Sequence, residues 1–157
     1  MKASNSVTIK ENGNGILAEM NVAATLERVW HVLTSFEDMD AHLSMLHESK
    51  VLKREGNYRM VAQTGKITIA RFPVTFRVVM DVVEKRPFLY FNQRAGSFAF
   101  FRGHWEVDPD GEGNGTSVRY RLEARSGKSL KVRSFAQHLN RMIRQNLQEL
   151  ALWMDNP

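Results

Sequence analysis

From Ser49 to Ser126 apolar residues recur at almost every second position, whereas on either side of that block they recur every three or four. In "VTFRVVMDVV", Val74, Phe76, Val78, Met80 and Val82 share one face, with Thr75, Arg77 and Asp81 on the other. "TSVRYRLEA" repeats the scheme, with Val118, Tyr120, Leu122 and Ala124 opposite Arg119, Arg121 and Glu123. One-sided alternation of this kind predicts antiparallel strands with one wet face. The segments "KVLKRE", "NYRMVAQTGKITIA", "FLYFNQR" and "FAFFRGHWEVD" complete the set, separated by Gly, Pro, Asn or Asp turns. "DPDGEGNG" is the plainest hairpin signal.

Upstream, "NGNG" at 12–15 marks a turn and "ILAEMNVAA" a strand with Ala18, Met20 and Val22 facing in. The period then changes. Leu26, Val29, Trp30 and Leu33 predict a helix capped by Thr25, and a second short helix is expected around 37–46. The C-terminal stretch, about 129–154, carries Val132, Phe135, Ala136, Leu139, Met142, Ile143, Leu147, Leu150 and Trp153 as one stripe. Some 25 helical residues span nearly 40 Å, enough to cross a whole sheet. The economical assembly is an α+β domain in which a curved antiparallel sheet wraps its apolar face around the long helix. Residues 1–157 read as one domain, with 1–15 expected to be partly flexible. A filled core and a cavity would give the same periodicity.

Composition removes several classes of chemistry. The chain has no cysteine, hence no disulfide, thiolate metal site or cysteine nucleophile. No apolar run approaches the roughly 20 residues of a membrane span, and the N-terminus lacks a signal-peptide core. A cytoplasmic protein is the expectation, with peripheral contact at the inner face of a membrane. His31, His42, His47, His104 and His138 include no pair at metal-ligand helical spacing, so no metal site and no cofactor are expected. On strand phase, His104 shares a polar face with Arg102 and Glu106, while Phe101 and Trp105 point inward. Inward polar candidates are Tyr120, Tyr58, and Tyr90 or Asn92. As a catalytic group only Tyr120 is a candidate, and a weak one, because tyrosine in an apolar wall is more often hydrogen-bonded core.

The net charge is +5, and its distribution matters more than its total. Arg119, Arg121, Arg125, Lys128, Lys131, Arg133, Arg141 and Arg144 face only Glu123 over that stretch. Such a basic patch suits anionic lipid at about 1 kcal/mol per well-placed residue. Nucleic acid is not expected, because no aromatic residues alternate with the basic ones.

"VAATLERVWHVLTSFEDMDAHL" resembles the opening of the START-like (SRPBCC, helix-grip) superfamily, in its polyketide cyclase/dehydrase and coenzyme Q-binding branch. Ala24, Glu27, Val29, Trp30, Val32, Leu33, Thr34, Phe36 and Glu37 carry the likeness. Thr25 stands where the family often has Pro, and Ser35 where it often has Asp. A second signature is met by Gly103, Trp105, Val107 and Pro109, then Gly115, Thr116, Val118 and Tyr120. The likeness covers about 16–154. It implies a helix-grip fold: a curved antiparallel sheet around a long C-terminal helix, with two short helices after the first strand and an internal apolar cavity. Relatives bind lipids, isoprenoid quinones, sterols or polyketide intermediates.

The expected function is therefore binding or transport of an apolar small molecule without covalent chemistry. Expected contacts are Met20, Met60, Phe76, Met80, Phe101, Trp105, Tyr120, Phe135, Leu139, Met142 and Ile143. Access would pass a mobile loop, 68–74 or 92–97. Two alternatives stand beside this reading: a cyclase or aromatase using an inward polar group, and a ribosome- or membrane-associated protein using the basic face. Neither ligand identity nor oligomeric state can be read from these residues.

Overall fold

The computed structural model describes residues 7–12, 15–69, 71–111, 113, 115–127 and 135–156, with the backbone alone for Asn12, Phe135 and Ala136. Among these residues eight strands run β1 (Thr8–Asn12), β2 (Gly15–Val22), β3 (Leu46–Glu55), β4 (Tyr58–Ile69), β5 (Phe72–Lys85), β6 (Phe88–Gly96), β7 (Phe98–Pro109) and β8 (Thr116–Ser126). Helix α1 (Leu26–Leu33), a 3-10 turn (Phe36–Asp38) and α2 (Met39–His42) connect β2 to β3, and α3 (Phe135–Asp155) follows β8. These strands form one antiparallel sheet in the order β1-β2-β8-β7-β6-β5-β4-β3. This is the helix-grip architecture.

Two details stand beside the sequence reading. Within the N-terminal segment Thr8–Asn12 forms a strand, which the sequence reading had not assigned, and it pairs with β2 from Thr8↔Glu19 to Asn12↔Gly15. Val7 is buried and Ile9 packs against the core, so two apolar side chains suffice to dock an edge strand. Helix α3 is described from Phe135 onward, and 128–134, where its start was expected, lies outside the described residues.

Register shifts interrupt the ladder at Leu46/Glu48, Val51/Lys53, Val79/Met80 and Phe98/Phe100. Each adds local twist and bend, which curls the sheet around α3. The shift near Phe98 also turns both Phe98 and Phe101 toward the concave side, where strict alternation would separate them.

Helix α3 is tied at several points along its length. Asn140 Nδ2 donates to Glu11 Oε1 (2.7 Å) and Arg144 Nη1 to the Val7 carbonyl (2.8 Å), which anchors one flank to the N-terminal hairpin. Ser44 Oγ donates to Glu149 Oε1 (3.0 Å), and His42 stacks on Trp153 at 4.0 Å. At the helix C-terminus Arg28 donates to the carbonyls of Trp153 (2.9 Å) and Met154 (3.3 Å). A guanidinium there meets carbonyls of the last helical turn, which lack i+4 donors, and the negative end of the helix dipole. Arg28→Met is expected to lower stability by about 1–2 kcal/mol in chemical denaturation. An unchanged midpoint would mean that water serves those carbonyls equally well.

Candidate functional site

Between the concave face and α3 the side chains leave a cavity of about 110 Å³. Six of the aromatic rings that line it form a continuous belt: Phe76 against Phe98 (6.2 Å), Phe98 against Phe101 (4.9 Å), Phe101 against Phe91 (5.7 Å), Phe91 against Tyr120 (5.7 Å), and Tyr120 against Trp105 (4.2 Å). Aromatic pairs at these separations hold their geometry beyond what area burial alone would enforce. Met39, Met45, Met80 and Met142 complete much of the lining. Their unbranched side chains let the lining reshape around the belt.

Of the residues expected to contact a ligand, Phe76, Met80, Phe101, Trp105, Tyr120, Met142 and Ile143 line this cavity. Met20 and Leu139 are buried in the surrounding core without lining it. Met60 stands on the opposite face, because it pairs across the ladder with Asp81 and the cavity-facing phase of β4 is Gln63 and Ile67. The side chain of Phe135 lies outside the described residues.

The inward reading of Tyr90, Asn92 and Tyr58 is corrected too. On β6 the inward residues are Leu89 and Phe91, since Phe91 pairs with Gly103 and Tyr90 with His104. Tyr90, Phe88 and His104 form a ring cluster on the outer face. His104 thus points outward, as its strand phase implied. Among the described residues no three His, Cys, Asp or Glu side chains converge as metal ligands would.

Three polar side chains reach the cavity from elements the sequence had marked as apolar. Gln63 donates to Ser49 Oγ (3.1 Å). The Tyr120 phenol is held well above its ordinary pKa by burial, so it stays protonated and can donate but cannot act as a base. Asn146 carries a buried Oδ1 with no hydrogen-bond partner. Its position was visible in advance, three residues after Ile143 and four after Met142, as the one polar break in the helix stripe.

On the outer face Tyr58 donates to Asp81, which also pairs with Arg94 (3.0 Å). The hydrogen bond from Tyr58 lowers the Asp81 pKa, with Arg94 assisting against a smaller opposing effect of burial. A carboxylate depressed on folding adds stability above its unfolded pKa, which is lost as pH falls through the folded value. Asp81→Asn should therefore flatten the acid limb of the stability profile below about pH 4, as read by denaturation at several pH values.

The basic patch is divided. Arg119 and Arg121 stand on the outer face of β8, where Arg119 pairs with Glu106 (3.2 Å), and Arg125 is also exposed. Arg141 and Arg144 belong to α3, on the concave side, with Arg144 bound to the Val7 carbonyl. Lys128, Lys131 and Arg133 lie outside the described residues. No helix among the described residues is long and apolar enough to cross a membrane.

Comparisons with known proteins agree with this architecture. A STAR-related lipid transfer protein from Xanthomonas axonopodis aligns with a TM-score of 0.73 and 13% identity, over 94% of this chain and 98% of that one. The protein TTHA0849 from Thermus thermophilus gives 0.71 at 20% identity, over 90% of this chain and 94% of that one. The Zhui aromatase/cyclase from Streptomyces sp. R1128 gives 0.71 at 14% identity, over 94% of each chain. At such identities the likeness is one of fold. No curated protein matches in sequence. One family model matches residues 22–151, that of polyketide cyclase / dehydrase and lipid transport.

Proposed function

The chain belongs to the polyketide cyclase/dehydrase and lipid transport family, and we propose that it binds an apolar small molecule non-covalently, to sequester or present it. The cargo class is a lipid, an isoprenoid quinone or a polyketide-like compound. The observation that carries this reading is the character of the cavity lining. Among the described residues, Tyr120 is the one ionisable side chain that lines the cavity, and a phenol fixed in its protonated form is no general base. Chemistry of the cyclase kind that begins with proton abstraction needs a general base within reach of the substrate, and the described lining offers none. What it does offer is desolvation against a rigid aromatic belt and pliable methionines, the usual character of a small-molecule site.

The volume adds a condition. An apolar cavity of about 150 Å³ accepts a benzene-sized molecule, so about 110 Å³ holds one small ring or a short stretch of chain. A larger cargo enters only as the methionine side chains shift. Mass spectrometry of an organic extract of gently purified protein tests the proposal. A stoichiometric apolar compound is expected. A blank extract, together with no uptake of apolar fluorescent probes, would overturn it.

A further inference from the structure

Building on the cavity-binding reading, we propose that the preferred cargo carries a hydroxyl group, anchored on the side-chain amide of Asn146. Oδ1 of Asn146 is buried at the cavity with no donor among the described residues. A buried acceptor without a partner is costly, and the helix stripe would accept leucine at this position without loss. The other cavity amide, Gln63, is already engaged by Ser49 and also points Nε2 at Met39 Sδ (3.6 Å). Asn146 is thus the free polar contact of an otherwise greasy lining. Its carbonyl calls for a donor, and a hydroxyl on an apolar body supplies one without bringing a charge into the cavity. Sites that hydrogen-bond a ligand hydroxyl discriminate strongly against the analogue lacking it.

The test uses phenol and toluene, titrated into wild-type protein and Asn146→Leu by calorimetry. Wild type is expected to favour phenol by about tenfold or more. The variant should lose that preference while binding toluene at least as well. The melting temperature of the empty variant should hold or rise, since an unsatisfied group has been removed; a purely structural asparagine would make it fall. Equal affinity of wild type for both probes would mean that Asn146 holds only solvent, and would overturn the inference. Binding of neither probe would overturn the cavity reading beneath it.

A separate observation concerns the β4–β5 hairpin. Pairing of β3 with β4 ends at Leu46↔Gly65, and pairing of β5 with β6 ends at Val78↔Gly96. The last backbone bonds to neighbouring segments run from Lys66 N to the Met45 carbonyl (2.9 Å) and from Ser97 N to the Arg77 carbonyl (2.8 Å), and beyond them β4 and β5 pair only with each other as far as Ile69↔Phe72, a two-stranded arm. One face of the arm is apolar. Ile67 and Phe76 at its root line the cavity, Ile69 and Val74 are partly buried, and Phe72 at its end is 72% exposed. Lys66, Arg71 and Arg77 are exposed on the same arm, and no acidic residue occurs between Glu55 and Asp81. We infer that this arm docks on an anionic bilayer, with Phe72 seated at the headgroup boundary, Arg71 beside it against lipid phosphates, and Lys66 and Arg77 at the root of the arm, in the other strand phase, adding to the attraction. An exposed aromatic ring on an arm whose charges are all cationic matches that surface in both polarity and charge. The arm also leads directly from the cavity wall to the membrane.

Co-sedimentation with vesicles of phosphatidylcholine, with and without phosphatidylglycerol, tests this. Binding is expected only with the anionic lipid. Phe72→Ser should weaken it about tenfold and Arg71→Glu with Arg77→Glu should abolish it, while Arg121→Glu on the β8 outer face leaves it intact. Probe binding in the cavity should be unchanged in all three variants. Vesicle binding indifferent to the arm, or lost through Arg121 instead, would overturn the inference. So would self-association abolished by Phe72→Ser without any vesicle binding, because the ring would then meet a second copy of the chain.

Discussion

Gly103→Ala is expected to destabilise the fold by about 3 kcal/mol or more, the steep end of overpacking. A Cβ at this position would stand 1.9 Å from the Arg121 carbonyl oxygen and 2.9 Å from the tip of the Phe91 ring. The carbonyl belongs to the paired strand β8, where Gly103 lies opposite Leu122. It cannot step aside without opening the ladder. The Phe91 ring is no freer, since it lies between Phe101 and Tyr120 in the aromatic belt. At about 2–4 °C per kcal/mol for a chain of this size, the melting temperature should fall on the order of 10 °C. Gly111→Ala is the matched control: nothing lies within 4 Å of its Cβ, so its effect should stay within about 0.5 kcal/mol. Equal melting temperatures for the two variants would contradict the packing of Phe91 over β7. The glycine is therefore a cross-strand recess for an aromatic ring, not a place for a ligand to approach the backbone.

Gly103 also shows where reading from sequence succeeds and where it stops. Strands β2, β5 and β8 carry most of their apolar residues on one face, with Leu17, Val79 and Val83 as exceptions, so their inward sets were readable from alternation. Strand β6 is aromatic on both faces. "FLYF" offers Phe88 and Tyr90 to one side and Leu89 and Phe91 to the other, and only the pairing of Phe91 with Gly103 decides between them. Met60 has the same ambiguity, beside Val61 on a strand with apolar residues in both phases. The edge strand β1 was hidden because an outermost strand needs few apolar positions to dock. Asn146 was in plain view as a polar residue on an apolar stripe, but its meaning depended on knowing that the stripe faces a cavity. Alternation and helical spacing describe what is buried; whether space remains among the buried groups depends on curvature, which the register shifts set.

Met142 separates a cavity from a filled core most directly, because two substitutions there should move binding in opposite directions. The side chain lines the cavity from the middle of α3. Met142→Trp should place indole atoms in the empty volume and weaken probe binding by about a hundredfold or more. Filling half of 110 Å³ is worth about 1 kcal/mol at roughly 24 cal/mol per Å³, enough to offset moderate rotamer strain. The empty variant should therefore melt near or above wild type. Met142→Ala enlarges the cavity, which should cost about 2 kcal/mol or more of stability and improve the binding of probes too large for the native site. In a filled core the same pair would behave otherwise: tryptophan would overpack, alanine would leave a void, and both would destabilise with no effect on any ligand. Loss of binding with retained stability in the larger variant, and the reverse in the smaller, is the signature of a working cavity. It requires only a thermal melt and a probe titration on each protein.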